Sequence, residues 1–365
     1  MIVDFILSKD PATEHGGDVA MSKLVMSLAR HSCTVRGIAL SRTPALRGDE
    51  ITRVLKPSLD KIALVFGSLR TGRSLIHSRF DTKEIADLIA TSSADRFVAE
   101  HSYMAEPFLS ARPGDASRRL LINSHVSEAD VWKETRPTIL RLEHRRIERD
   151  ETRVAIQARS VAYFDKEESQ RSVSSKSHWL NLTLPPKAPT DRAATKPVLV
   201  FLGDRRWPPN EEAAKRAVKL WPEISNGISG ARLLLIGKQA SGSRRHTLPS
   251  GVEDLKFVED LDGLLSNARA LIAPVRAGGG VRVKILEAAS IGLPVVGTHA
   301  ALGSLGSVLP LTEYDNDKSL IAAARALLLD GYLARECGDS LFEVNAERWK
   351  QGAPHSNIQD WLQGK

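Results

Sequence analysis

The chain has 365 residues, 42% of them hydrophobic and 26% charged, with a formal net charge of +7. That is too long for one ordinary core and suits two domains, and the composition excludes fibrous and disordered classes. Two distant cysteines, Cys33 and Cys337, exclude a disulfide framework and suit a reducing cytosol.

The opening MIVDFILSKDP lacks the basic leader and long apolar core of a signal peptide and reads as a strand. No run approaches the roughly 18 apolar residues of a spanning helix. In chain order, residues 2–7 read as a strand, 18–30 as a helix capped by Asp18, 34–40 as a strand, and 58–78 as helix despite Gly67 and Gly72. A helix over 82–90, strands over 96–100 and 120–123, a long helix over 137–158 and a strand over 161–164 follow. The basic stretch 141–159 interleaves acids with arginines, as in Glu143 with Arg146, and reads as a solvated amphipathic helix; a membrane- or nucleic-acid-facing patch is the alternative.

Four prolines in residues 184–197 (LPPKAPTDRAATKP) interrupt the pattern and mark a linker. The alternation then restarts, with strands over 198–202, 231–236, 254–258, 270–274 and 294–298 and helices over 210–220, 261–267 and 281–291. Helices over 318–329, 333–349 and 357–362 end the chain. Strands alternating with helices predict two α/β domains with parallel sheets, whose ligands bind beyond the carboxyl ends of the strands.

The strongest local signal is RAGGGVRVKILEAASIGLPVV, residues 276–296, directly after an apolar strand. Gly278, Gly279 and Gly280 let backbone N–H groups approach an anion at a helix N-terminus. Gly280, Lys284 and Glu287 fall at i, i+4 and i+7 on one stripe, with Arg282 near the same end. Lys284 and Arg282 suit phosphate oxygens, and Glu287 suits the two hydroxyls of a ribose; a surface Lys284–Glu287 ion pair is the plain alternative. A second signal is FLGDRRWPPNEEA, residues 201–213, where Arg205 and Arg206 suit phosphate, two exposed surface arginines being the plain alternative, and Asn210 suits the cap of the next helix. A third is HGGD, where Gly16 and Gly17 follow the first strand. His101 and His125 each follow an apolar strand as well.

In these motifs, and in residues 231–238 (ARLLLIGK), 251–265 and 301–306 (ALGSLG), the second half of the chain resembles glycosyltransferase family 4; EHSYMAEP (100–107) and NSHVSEADVW (123–132) extend the likeness into the first half. The resemblance implies a GT-B fold, two Rossmann-like parallel-sheet domains facing each other across a cleft. The first would span 1–185 and serve the acceptor, a linker 186–197, and the donor domain 198–348, with 349–365 returning to the first domain. It implies retaining transfer of a sugar from a UDP- or GDP-linked donor to a glycan, lipid or small-molecule acceptor. Glu287 matches the second glutamate of the family's Glu–seven residues–Glu motif, and Gly279 stands where the first would be. Gly16 and Gly17 match the pair facing the diphosphate. Asp204 and Asn210 stand where the family often has basic residues, which leaves that work to Arg205 and Arg206. His125 matches a histidine that lines the family's cleft.

Such a site stabilises charge developing on the β-phosphate with Arg205, Arg206, Lys284, Arg282 and loop amides. No acidic or histidine cluster has metal spacing, so the expectation is a metal-independent cytoplasmic enzyme without other cofactor, peripheral at most on an anionic inner membrane face. Aromatics are 5% and not interleaved with a basic run, which argues against nucleic acid. The competing expectations are a nucleotide-sugar epimerase using the same donor site and an inactive basic scaffold.

Overall fold

The computed structural model describes residues 1–58, 60–136, 142–174, 176–239, 247–276 and 278–364. They form two compact units, one of residues 1–182 with 354–365 and one of residues 183–353. Each is built on a parallel sheet.

The first unit has seven strands: β1 (Ile2–Leu7), β2 (Thr34–Ser41), β3 (Ile51–Leu55), β4 (Arg96–Glu100), β5 (Leu120–Ser124), β6 (Ser160–Tyr163) and β7 (Ser177–Trp179), in the order 3-2-1-4-5-6-7. β1 and β5 lie in the middle and are buried along nearly their whole length, as expected of strands covered on both faces. The edge strands β3 and β7 are absent from the sequence reading. Their physical reason is their position: β3 is half-exposed and mixes polar with apolar residues, and β7 is three half-buried residues long.

The helices of this unit include α1 (Gly17–Ala29), α2 (Lys61–Thr71), α3 (Glu128–Thr135) and α4 (Glu143–Gln157). α4 covers the basic stretch; residues 137–141 of the longer helix expected there lie outside the described residues. It is a core helix on one face, burying Ile147, Asp150, Val154 and Ala155. α1 starts a residue before Asp18, which therefore does not cap it; Gly16 stands at the cap.

The second unit has β8 (Val198–Leu202), β9 (Arg232–Ile236), β10 (Val252–Lys256), β11 (Ala270–Ala273) and β12 (Val295–Gly297), in the order 10-9-8-11-12. α5 (Pro208–Ser225) follows β8 and α6 (Val283–Ser290) follows β11. α5 runs five residues past Leu220, where the sequence reading ended it, and through Pro222; Trp221 just before the proline is fully buried. Asn210 does not cap α5; Trp207 holds the cap position, and two prolines open the first turn, where their missing N–H groups are harmless. Among the terminal helices, α7 (Gly331–Lys350) belongs to this unit and most of α8 (Ala353–Gln363) to the first, where Trp361 is fully buried.

The proline-rich segment 186–197 is not free chain. It belongs to the second unit, and its Arg192 is fully buried. The guanidinium donates to the carbonyls of Gly292 (3.0 Å), Leu265 (2.8 Å), Ser266 (3.2 Å), Ala268 (2.9 Å) and Ile291 (2.9 Å), with no carboxylate beside it. Burial pushes its pKa down to about 10. Arg192→Met would leave five buried acceptors short of a donor. Since each such loss costs about 1–3 kcal/mol and part is offset by removing a buried charge, the variant is expected to lose about 3–5 kcal/mol in chemical denaturation. An unchanged midpoint would mean that the segment does not anchor the unit.

Candidate active site

In the second unit the strand order reverses between β8 and β11, which pair through Ala270 with Leu199 and Leu271 with Val200. Open parallel sheets bind ligands beyond the carboxyl ends of strands at such a point. Both motifs singled out from the sequence leave the sheet there, FLGDRRW after β8 and the glycine loop after β11.

The exit of β8 is held by close backbone contact. The N–H of Gly203 donates to Ile236 O (3.0 Å) and that of Arg205 to Lys238 O (2.8 Å). Gly237 sits at φ +132°, and a Cβ there would lie 1.8 Å from the Gly203 carbonyl oxygen. A Cβ on Gly203 would in turn lie 2.8 Å from the Asn210 side chain. Asn210 is thereby pressed against the loop. Its Nδ2 donates to Asp204 O (3.1 Å), and its Oδ1 accepts from Lys284 Nζ (3.0 Å).

Lys284 is half-buried, and its ammonium lies 5.5 Å from the Phe201 ring centroid. Burial, then the nearby Arg282, push its pKa down to about 8. One turn on, the half-buried Glu287 carboxylate makes no hydrogen bond or ion pair with any described residue, and the plain alternative of a Lys284–Glu287 ion pair does not form. Burial, helped by Asp262 and opposed by Lys187 and Lys284, pushes Glu287 up to about 7. The pair thus presents an ammonium held by a neutral amide and a desolvated carboxyl short of donors.

α6 begins at Val283, two residues later than expected, so Gly280 lies in the loop and only Lys284 and Glu287 share the helix face. Arg282 occupies the cap without a side-chain cap bond and donates to Gly280 O. Gly278 and Gly280 sit at φ +132° and +75°, which disfavours other residues, and a Cβ on Gly278 would lie 3.3 Å from the Trp207 ring. Trp207 packs against the glycine loop, a contact the sequence did not reveal.

The two arginines separate. Arg205 is buried; it donates to Asp254 at 3.0 and 2.5 Å and to Gly237 O at 2.7 and 3.2 Å. Its guanidinium is taken up inside the unit by these partners. Arg206 is exposed and, among the described residues, pairs with the nearby Asp204 alone, a surface partner of little strength.

In the first unit the order reverses between β1 and β4. Gly16, at φ +145°, and Gly17 start α1, whose first turn has no side-chain cap. Asp18 pairs with Lys9 (2.5 Å). His125, after β5, is buried and donates through Nε2 to Glu100, which also accepts from Ser22 Oγ (2.9 Å) and Asn123 Nδ2 (3.0 and 3.1 Å). That leaves His125 Nδ1 as an acceptor with no hydrogen-bond partner among the described residues. His101 stacks on His125 at 4.6 Å between ring centroids, 3.5 Å from Glu128 and 3.9 Å from Asp18. It sits at φ +75°, a strained conformation for histidine. Burial and then His125 push the His101 pKa well below the ordinary value, and burial and then Asp18 push Glu128 up to about 7. Glu100 and Glu128 were missed from sequence, although Glu100 adjoins His101 in EHSYMAEP.

Residues 196–330 match the family model for glycosyl transferases group 1, a span containing Arg205, Arg206, Asn210, the glycine loop, Lys284 and Glu287. No curated protein matches the chain. Among solved structures, the chain resembles a sucrose-phosphate synthase from Thermosynechococcus elongatus (16% identity, TM-score 0.73, 100% of this chain and 98% of that one). It also resembles WaaG, a glycosyltransferase involved in lipopolysaccharide biosynthesis (15%, TM-score 0.67, 100% of both chains), and Anabaena HepE in complex with UDP-glucose (12%, TM-score 0.68, 100% of both chains). The two parallel α/β units match GT-B glycosyltransferase structures.

The shifted Glu287 gives a stability test. Its folded pKa, about 7, lies above the unfolded value, so the folded state binds more protons and stability falls as pH rises through that window. Glu287→Gln should therefore lose less of its melting temperature than the wild type between pH 5 and 7. Parallel curves would contradict the desolvated carboxyl.

Proposed function

We propose that the chain is a retaining, metal-independent glycosyltransferase that takes a hexose from a UDP- or GDP-linked donor and passes it to a glycan, lipid or small-molecule acceptor in the cytoplasm. The observation that carries this reading is the helix face of Lys284 and Glu287 beyond the glycine loop, at the point where the strand order reverses. The match of residues 196–330 to glycosyl transferases group 1 supports it, as does the UDP-glucose bound by HepE, a structural neighbour.

In this reading Glu287 accepts hydrogen bonds from the two ribose hydroxyls, which supply the donors it lacks among the described residues. The amides of Gly278, Gly279 and Gly280, the α6 N-terminus and Arg282 hold the diphosphate. Lys284 and Arg206 stabilise the charge that develops on the β-phosphate as the C1–O bond breaks. Arg205 positions this loop through Asp254 rather than touching phosphate. The acceptor oxygen bonds to C1 on the face the diphosphate leaves, and its proton passes to a β-phosphate oxygen, so no protein base is consumed. His125, oriented by Glu100, accepts a hydrogen bond from a substrate hydroxyl through Nδ1.

A thermal-shift screen against UDP, GDP and their common sugars, with and without EDTA, tests the reading. One nucleotide is expected to raise Tm selectively, with no effect of EDTA. Lys284→Ala should lower kcat by about 10²-fold, as for loss of one oxyanion donor, and Arg206→Ala less, while Arg205→Ala should act mainly through stability. Glu287→Ala should weaken nucleotide binding. Near-native kinetics in both Lys284→Ala and Glu287→Ala would refute the site. In the wild type, nucleotide affinity should peak between pH 7 and 8, because Glu287 must be ionised (pKa about 7) and Lys284 protonated (pKa about 8). A flat profile from pH 6 to 9 would contradict those roles.

A further inference from the structure

α2 in the first unit (KIALVFGSLRT) has an apolar face that no described residue covers. Its inner side carries buried Ser68 and half-buried Leu64 and Gly67. Ser68 Oγ donates to Arg73 O (2.6 Å) and accepts from Arg146 of α4 (2.9 Å). Ile62, Val65, Phe66 and Leu69, at i, i+3, i+4 and i+7, form the opposite stripe and are 71%, 47%, 68% and 68% exposed. No other helix face among the described residues exposes four large apolar side chains together. Such a patch marks a surface that something covers.

The charge around the stripe indicates what that is. At 100° per residue, Lys61 flanks one edge of the stripe and Arg70 the other, and α2 contains no acidic residue. Arg149, exposed on α4, donates to Gly72 O at the end of α2. The acids nearby are engaged: Asp60 accepts from the N–H groups of Ile62 and Ala63, Asp81 pairs with Arg73, and Glu143 pairs with Arg146. A second copy laid on the stripe would bring Lys61, Arg70 and Arg149 of the two copies close together.

We propose that α2 is a docking helix for an anionic lipid bilayer. About 16 Å long, it lies in the plane of the surface, with Ile62, Val65, Phe66 and Leu69 at the acyl boundary and Lys61, Arg70 and Arg149 on headgroup phosphates. The inference stands on α2 and does not depend on the donor-site reading.

Vesicle co-sedimentation of the full chain tests it. The wild type should bind phosphatidylcholine–phosphatidylglycerol vesicles, bind phosphatidylcholine alone weakly, and be released by salt. Ile62→Ser combined with Phe66→Ser, and separately Lys61→Glu combined with Arg70→Glu, should each cut binding by about ten-fold or more with the circular dichroism spectrum and Tm unchanged, since all four residues are exposed. Phe66→Trp should keep binding and shift its emission to the blue on mixed vesicles. Absence of wild-type binding, or undiminished binding by both double variants, would overturn the proposal. So would a wild-type dimer abolished by the Ser variants without vesicle binding, which would assign the stripe to a second copy.

Discussion

The second unit depends on two strand exits lying closer than any side chain would allow. Gly237 and Gly203 touch backbone to backbone, so the loops after β8 and β9 leave the sheet as one layer. That contact presses Asn210 inward, and Asn210 fixes Lys284 from the far side of the glycine loop. A methyl group on Gly237 would displace this whole relay, because its neighbour is backbone and cannot rotate away. The close approach is therefore the mechanical basis of the site, and the charged groups are placed by it.

The electrostatics follow from what the relay leaves unpaired. Most charged groups around the strand exits are matched, Arg205 by Asp254 and Arg206 by Asp204. Lys284 is given a neutral amide and Glu287 no partner among the described residues, and both lose hydration. A folded chain holds such groups at a cost in stability unless a ligand supplies the missing partners. Shifted groups clustered at the end of a parallel sheet are a functional signal for that reason. The first unit repeats the logic with different chemistry: a strained His101, a buried His125 locked to Glu100, and a carboxyl at Glu128 raised toward neutrality.

Central strands and the glycine loops were legible because burial on both faces writes long apolar runs and close backbone approach demands glycine. β3 and β7 were not, since edge strands need not be apolar. The helix face of Lys284 and Glu287 followed from spacing alone. The division of labour between Arg205 and Arg206 did not, because it turns on Asp254, which is 49 positions away in a half-exposed strand. Asn210 was read as a local cap, where its side chain instead serves a residue 74 positions on. The pairing of His125 with Glu100 was out of reach for the same reason: the sheet order, not the spacing in the chain, puts β4 beside β5. The exposed stripe of α2 was hidden by its composition, which reads like that of any buried helix; only its packing shows that no described residue covers it.

Amide hydrogen exchange with and without the stabilising nucleotide tests the central claim most directly, because it locates the ligand without assuming a reaction. The account predicts slowed exchange confined in the second unit to the strand exits, at residues 203–207 and 278–287. Protection elsewhere in that unit with these amides unchanged would contradict the proposed donor site.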